Sequence, residues 1–240
     1  MSSRITSSLS PSECSPLSLA VLNNQSTDGM DLTSILEKNW DFRVEHKGVR
    51  IYSSRVNGSD IHSFKGETEL AVSFKKLISL FHDMASYSRW VHKLAEMEVL
   101  EKNGIDYVVR QVIDTPWPLQ KREMIIRTGL ALAGENSIAV TMTGEPDYLP
   151  VNSNYHRVRH ASGLWVFTPN GHGKVQLTFV MHVDPGSDVP AAVGNAGMFD
   201  VPFHSLNNLR TLAMDSSYTP PYPKEIEQHI AIVDDAPDMP

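Results

Sequence analysis

Six strand-like segments follow one another at 95–101, 106–113, 123–132, 137–143, 156–168 and 174–183, with no helical pattern between them. A parallel pair of strands needs a long crossover, usually a helix, whereas short turns leave only antiparallel pairing. Three further runs of alternating character come earlier: Trp40 to Val56 divides in two at Lys47-Gly48, a hairpin-type turn, and SFKGETELAV at 63–72 supplies the third. A twisted sheet of about nine strands curls, and its concave face must be covered by something apolar.

The only long helical stretch lies after the last strand, within His182 to Met214. Asp188 is placed to cap its first turn, and Pro190 suits an early helical position that needs no amide donor. Val193, Ala196, Phe199, Phe203, Leu206 and Leu209 recur at three- and four-residue steps, an apolar stripe directed at a core. Its first half carries little bulk. Gly194 and Gly197 each cost about 1 kcal/mol in helix propensity, which calls for compensation by close packing or by a guest molecule. Pro202 predicts a kink. Phe74, Leu77, Ile78 and Phe81 mark a shorter helix, a second is expected around 85–91 with Trp90 in the core, and an edge-covering one is expected at 31–38. The fold class is therefore α+β: a curved antiparallel sheet wrapped around a long C-terminal helix, a grip rather than a closed barrel.

Strand alternation selects the residues that meet that helix. In the last strand Val175, Leu177, Phe179, Met181 and Val183 share the inward face. Met124, Ile126, Thr128 and Leu130 form a second row, Ile138, Val140 and Met142 a third, and Trp165 joins them from the strand between. On the helix the expected ligand-facing residues are Asn195, Met198, Phe199, Pro202, Phe203 and Leu206. Methionines adapt to irregular apolar shapes, so Met124, Met142, Met181 and Met198 suit a lipid-like guest as well as a packed core.

The formal charge of -7 and the absence of a Lys/Arg cluster argue against a nucleic-acid surface. The sequence is 41% hydrophobic and 20% charged, and no apolar run is long enough to cross a bilayer. Cys14 alone forms no intramolecular disulfide and no multi-thiolate metal site. Residues 1–29, rich in Ser and Asn, read as a disordered leader on a cytoplasmic protein, with a secretory signal as the alternative. Residues 217–240 form a Pro-rich tail, read as a docking segment, a terminal strap or a disordered end.

Three motifs carry a resemblance: TPWPLQKRE at 115–123, EPDYLPVNSNYHRVRHASGLWVFTP at 145–169, and the series Asp184-Pro185-Gly186, Pro190, Asn195, Pro202 and Leu206 to Arg210. In this order and spacing they resemble the START domain, the lipid-transfer domain related to steroidogenic acute regulatory protein, over about residues 30–216. The resemblance implies a helix-grip fold with a hydrophobic tunnel for one sterol, phospholipid or similar molecule. It also implies no cofactor and no metal, a monomer, and transient membrane contact. The C-terminal helix, with Gly194 and Gly197, and the Trp117 loop would form the gate.

Against the family pattern, Thr128 stands where many members carry a tunnel-facing Arg, and Val112 where an acidic partner is common. Arg110 lies on the same expected face as Val112 and would need a ligand anion, a carboxylate or water there; a one-residue change of register would turn it away.

Enzyme readings are weaker. His156 and His160 lie on a strand, where a four-residue step does not converge on a metal. His182 and Asp184 share a strand face, but Ser162 and Ser205 lack an elbow motif. Grip folds also host polyketide cyclases and dehydratases, for which His182, Arg110 and Tyr107 would be the acid-base candidates. A lipid sensor acting on a protein partner needs the same cavity.

Overall fold

The computed structural model describes residues 38–133, 136–170 and 173–222, with 224 and 227. The expected leader, the helix at 31–38 except for Lys38, and most of the tail lie outside the described residues.

Ten strands form one sheet: β1 (Asp41–His46), β2 (Val49–Val56), β3 (Ser59–Leu70), β4 (Leu94–Asn103), β5 (Asp106–Ile113), β6 (Arg122–Leu132), β7 (Ile138–Gly144), β8 (His156–Arg157), β9 (His160–Pro169) and β10 (Val175–Asp184). The order across it is β1-β2-β3-β10-β9-β7-β6-β5-β4, antiparallel along this path, with the two-residue β8 added in parallel to β6. Its ends, β1 and β4, do not pair, so the sheet remains an open grip. Lys47 and Gly48 both have positive φ, 52° and 73°, as a two-residue hairpin turn requires.

The segment expected as one strand at 156–168 is divided. His156 and Val158 donate backbone hydrogen bonds to Lys121 and Glu123 at the start of β6, both 2.9 Å, and only from His160 does the chain join β7 and β10. Side-chain electrostatics explain the detour, because it delivers the Arg157 guanidinium to the buried Glu123 carboxylate.

Helix α1 (Phe74–His82) is capped by the Ser73 side chain, which accepts from the Lys76 amide. A 3-10 turn, Met84–Ser86, leads into the short α2 (Tyr87–Trp90), and α3 (Ala191–Met214) closes the fold. Between sheet and helices, Phe64, Leu70, Leu77, Ile78, Phe167 and Leu177 are fully buried or nearly so. Trp165 stacks on Phe179 with ring centroids 3.8 Å apart, and Phe81 meets Trp165 edge-on at 5.1 Å.

Two sequence expectations for α3 need correction. Asp188 caps nothing: its carboxylate receives both NH2 bonds of Arg122, at 2.9 and 2.8 Å, and Pro190 takes the N-cap position without a side-chain bond. The buried line begins at Gly194, Met198 and Pro202 and continues through Leu206, Leu209 and Ala213, while Val193 is 45% exposed and Ala196 is exposed. Small residues fill the early helix, so neither choice of face buries much apolar area, and the contacts made further along decide its rotation.

Those contacts are close. A Cβ on Gly66 of β3 would collide with Leu206 Cδ1 and the Phe64 ring, so only glycine lets α3 seat there. Asn195 accepts from the His62 amide at 2.8 Å and donates to the Asp60 carbonyl at 3.0 Å, and Arg210 donates to the Lys47 carbonyl of the β1–β2 hairpin. After α3 the chain turns back. Tyr218 bonds Asp83 and lies under the Arg89 guanidinium, and Lys75 sits 3.9 Å from the Tyr222 ring centroid, so this described part of the tail is a strap.

Candidate functional site

Two connected chambers lie between the sheet and α3. The inner one has a cavity volume of about 90 Å³ and the outer, more open one about 150 Å³; Ile113, Met124, Met181, Val201 and Pro202 line both.

The β6 row supplies Met124, Ile126 and Thr128 to the inner chamber, and β7 supplies Met142. Trp165, Phe179 and Met181 face it from β9 and β10, and Pro202 from α3. Gly194, Gly197 and Met198 line the outer chamber. Of the other expected ligand residues, Val140, Leu177 and Leu206 are buried in the surrounding core, and Phe199 packs on Phe64 with centroids 6.2 Å apart. Phe203 meets the His46 ring at 5.7 Å. Asn195 is committed to β3 backbone through the two hydrogen bonds already described.

Arg110 and Val112 are on the opposite face, and this corrects the sequence expectation. On β5 it is Val109, Gln111 and Ile113 that line the inner chamber. Cross-strand register agrees: Gln111 pairs with Met124 and Arg110 with Ile125. Both sides of β5 are apolar and buried, Val108 at 1% and Val109 at 2% exposed, so hydrophobicity alone could not assign its inward face. The outer side is covered by the segment between β7 and β9. There Arg110 bonds Glu123 and Glu96, and Arg157 donates to Glu123 at 2.9 and 2.8 Å and to the carbonyls of Pro146, Leu149 and Pro150. This buried charge network is satisfied without a ligand.

The acid-base candidates are not brought together. His182 and Arg110 alternate with chamber-lining neighbours and face outward, while Tyr107 is buried on the inner side, against Met84 and Met97. Burial holds the His182 imidazole below the usual histidine range. Sequence periodicity put Phe81 on the shorter helix and Trp90 in the core but assigned neither of them, nor Met84 and Tyr87, to the ligand site; all four wall one end of the inner chamber from the α1–α2 region. Gln111 carried a signal that was missed: a polar residue between Val109 and Ile113 in an otherwise apolar row.

Most polar groups of the inner wall are engaged. The Tyr87 hydroxyl donates to the Phe81 carbonyl at 2.9 Å, and burial pushes its pKa far above the usual phenol range. Thr128 Oγ1 accepts from the Tyr107 amide at 3.2 Å, and Ser205 Oγ donates to Val201 at 2.7 Å while accepting from the His92 amide at 2.9 Å. At the rim of the outer chamber Lys93 pairs with Asp200 at 2.6 Å, Asp114 with Lys121 at 2.9 Å, and Arg122 with Asp188. The Lys93 ammonium holds the Asp200 carboxyl below its ordinary range. His92 and His204 flank the same carboxylate at 3.6 and 3.5 Å, tying the loop after α2 to the middle of α3. Beside Pro116, which lines the outer chamber, Trp117 is 93% exposed.

The sequence pattern described as "START domain" matches residues 25–213. The chain belongs to the START family. Uncharacterized protein PA1579 of Pseudomonas aeruginosa is 28% identical over 178 residues, covering 74% of this chain and 88% of that protein. The crystal structure of a STAR-related lipid transfer protein fragment from Xanthomonas axonopodis is similar with a TM-score of 0.67 at 26% identity, covering 72% of this chain and 98% of that one. Human STARD10 shares the fold with a TM-score of 0.67 at 17% identity, covering 83% and 81% of the two chains. The START fold sets this chain among proteins of hydrophobic-ligand binding and lipid transfer. No helix among the described residues is long and apolar enough to cross a membrane.

Proposed function

We propose that this START domain, in the span 30–216, is a non-catalytic monomer that binds one hydrophobic molecule in its paired chambers and carries it between membranes. The observation that supports this reading most directly is the pairing of an apolar inner chamber with an outer chamber roofed by the least bulky part of α3. Burying a hydrocarbon body there gains about 25 cal/mol per Å² of apolar surface, enough to hold a lipid without a covalent or ionic anchor. Gly194, Gly197 and Met198 lie over the outer chamber, and this end of α3 moves to admit the ligand. Trp117 and Val193, exposed beside it, meet the bilayer surface, where amphipathic aromatic rings are favoured. Ligand binding also serves a sensor, but transfer is the reading that uses the exposed indole at the rim.

The test has two parts. Mass spectrometry of an organic extract of gently purified protein should give one lipid-like molecule per chain. Trp117→Ala should slow lipid exchange between vesicles several-fold while leaving binding in solution unchanged; an unchanged exchange rate removes Trp117 from the mechanism.

A further inference from the structure

The chemistry of the inner wall narrows the guest, on the reading that the chambers hold one. No Asp, Glu, Lys, Arg or His side chain lines the inner chamber among the described residues. A phosphate or carboxylate placed there would lose its hydration with no counter-charge in reach, a penalty of many kcal/mol for an unpaired ion. The charges at the outer rim do not compensate, because Lys93, Asp114 and Arg122 already have partners of opposite sign. Arg110, the residue the sequence offered as an anion contact, is held on the far side of β5 by Glu96 and Glu123.

One side chain differs from the rest of this wall. Gln111 projects from β5 among Val109, Ile113 and Met124, partly exposed, and makes no side-chain hydrogen bond among the described residues. Its amide combines a carbonyl acceptor with two N–H donors, so it can satisfy a hydroxyl or a ketone equally well. Thr128, Ser205 and Tyr87 spend their hydroxyl protons on backbone carbonyls. Trp90 Nε1 is buried without an acceptor, but it offers only a donor, and its ring packs against Phe81 and Tyr87.

We infer that the ligand is an uncharged, mainly hydrocarbon molecule whose single hydroxyl or carbonyl group hydrogen-bonds to Gln111. A sterol-like or terpenoid alcohol, a long-chain alcohol or ketone, and a neutral polyketide all share this chemistry. Gln111 then acts as the specificity-determining residue: a wrongly placed or missing polar group leaves its amide unpaired, and an ionised one is excluded by the wall.

The experiment uses the full chain and Nile red, a neutral fluorophore, as the bound probe. Octadecen-1-ol, oleate and octadecene, matched in chain length, compete for it in mildly alkaline buffer. The alcohol should displace Nile red at least about tenfold more effectively than oleate, in keeping with the cost of burying a carboxylate. In Gln111→Leu, with each inhibition constant corrected for the variant's own Nile red affinity, the alcohol should lose roughly 3- to 10-fold relative to octadecene, the worth of one hydrogen bond. Oleate competing as well as the alcohol overturns the inference, and so does a loss in Gln111→Leu that is equal for alcohol and hydrocarbon. Native protein that neither takes up Nile red nor extracts a lipid overturns the binding reading itself, which is a separate result.

Discussion

Replacing Glu123 by Gln should destabilise the domain without changing what it binds. Its carboxylate is 2% exposed and accepts from Arg110 on one oxygen and from two nitrogens of Arg157 on the other; the Arg157 side chain is 3% exposed. An amide in that place presents N–H groups to guanidinium N–H groups and leaves a buried cation uncompensated, a change that costs about 3–5 kcal/mol in buried pairs. Arg157 keeps carbonyl acceptors on Pro146, Leu149 and Pro150, and Arg110 keeps Glu96, so the lower end, about 3 kcal/mol, is the expected value. With a urea slope of roughly 2 kcal/mol per M, the unfolding midpoint should fall by about 1.5 M with the slope unchanged. Nile red binding per folded molecule should be unaltered, because the network lies across the sheet from both chambers. The double substitution Glu123→Leu with Arg157→Met removes both charges and should recover much of the loss. A loss under about 1 kcal/mol in Glu123→Gln, or a double variant no better than the single one, would refute the electrostatic account.

Two other outcomes follow from the same structure. A Cβ on Gly197 meets nothing within 4 Å, so Gly197→Ala should raise stability by up to about 1 kcal/mol through helix propensity, read as a higher thermal midpoint. Burial depresses the His182 pKa in the folded state, so its contribution to stability is full above the unfolded value of about 6.5 and is lost as pH falls through the folded value. Thermal midpoints should therefore drop between about pH 7 and pH 5, and His182→Gln should flatten that drop.

Element order and the inward rows of β6 and β10 could be read from the sequence because each has one apolar and one mixed face. Met124, Ile126 and Thr128 alternate against the exposed Arg127, and Phe179 and Met181 against Thr178 and His182. Strand β5 offered no such contrast. Val108 and Val112 are buried under the β7–β9 segment as deeply as Val109 is on the cavity side, so the inward parity was fixed only by its pairing with β6. Similarly, the Glu123–Arg157 pair joins residues far apart in sequence, and no local period records it. On α3 the small residues of the first turns gave the helix no strong side, and the seat of Leu206 on Gly66 settled the rotation.

The uneven seating of α3 bears on the kinetics of exchange. Leu206, Leu209 and Ala213 are wholly buried, whereas the first turns rest on Asn195, Gly194 and Met198 beside the outer chamber. Opening free energies read by amide hydrogen exchange should therefore rise along the helix, low at its start and approaching the global value near Leu209. A barrier to ligand release set by the weak end would be independent of the stability of the whole domain. Substitutions that strengthen the second half of α3 would then lengthen the life of the folded protein and leave the residence time of its guest unchanged.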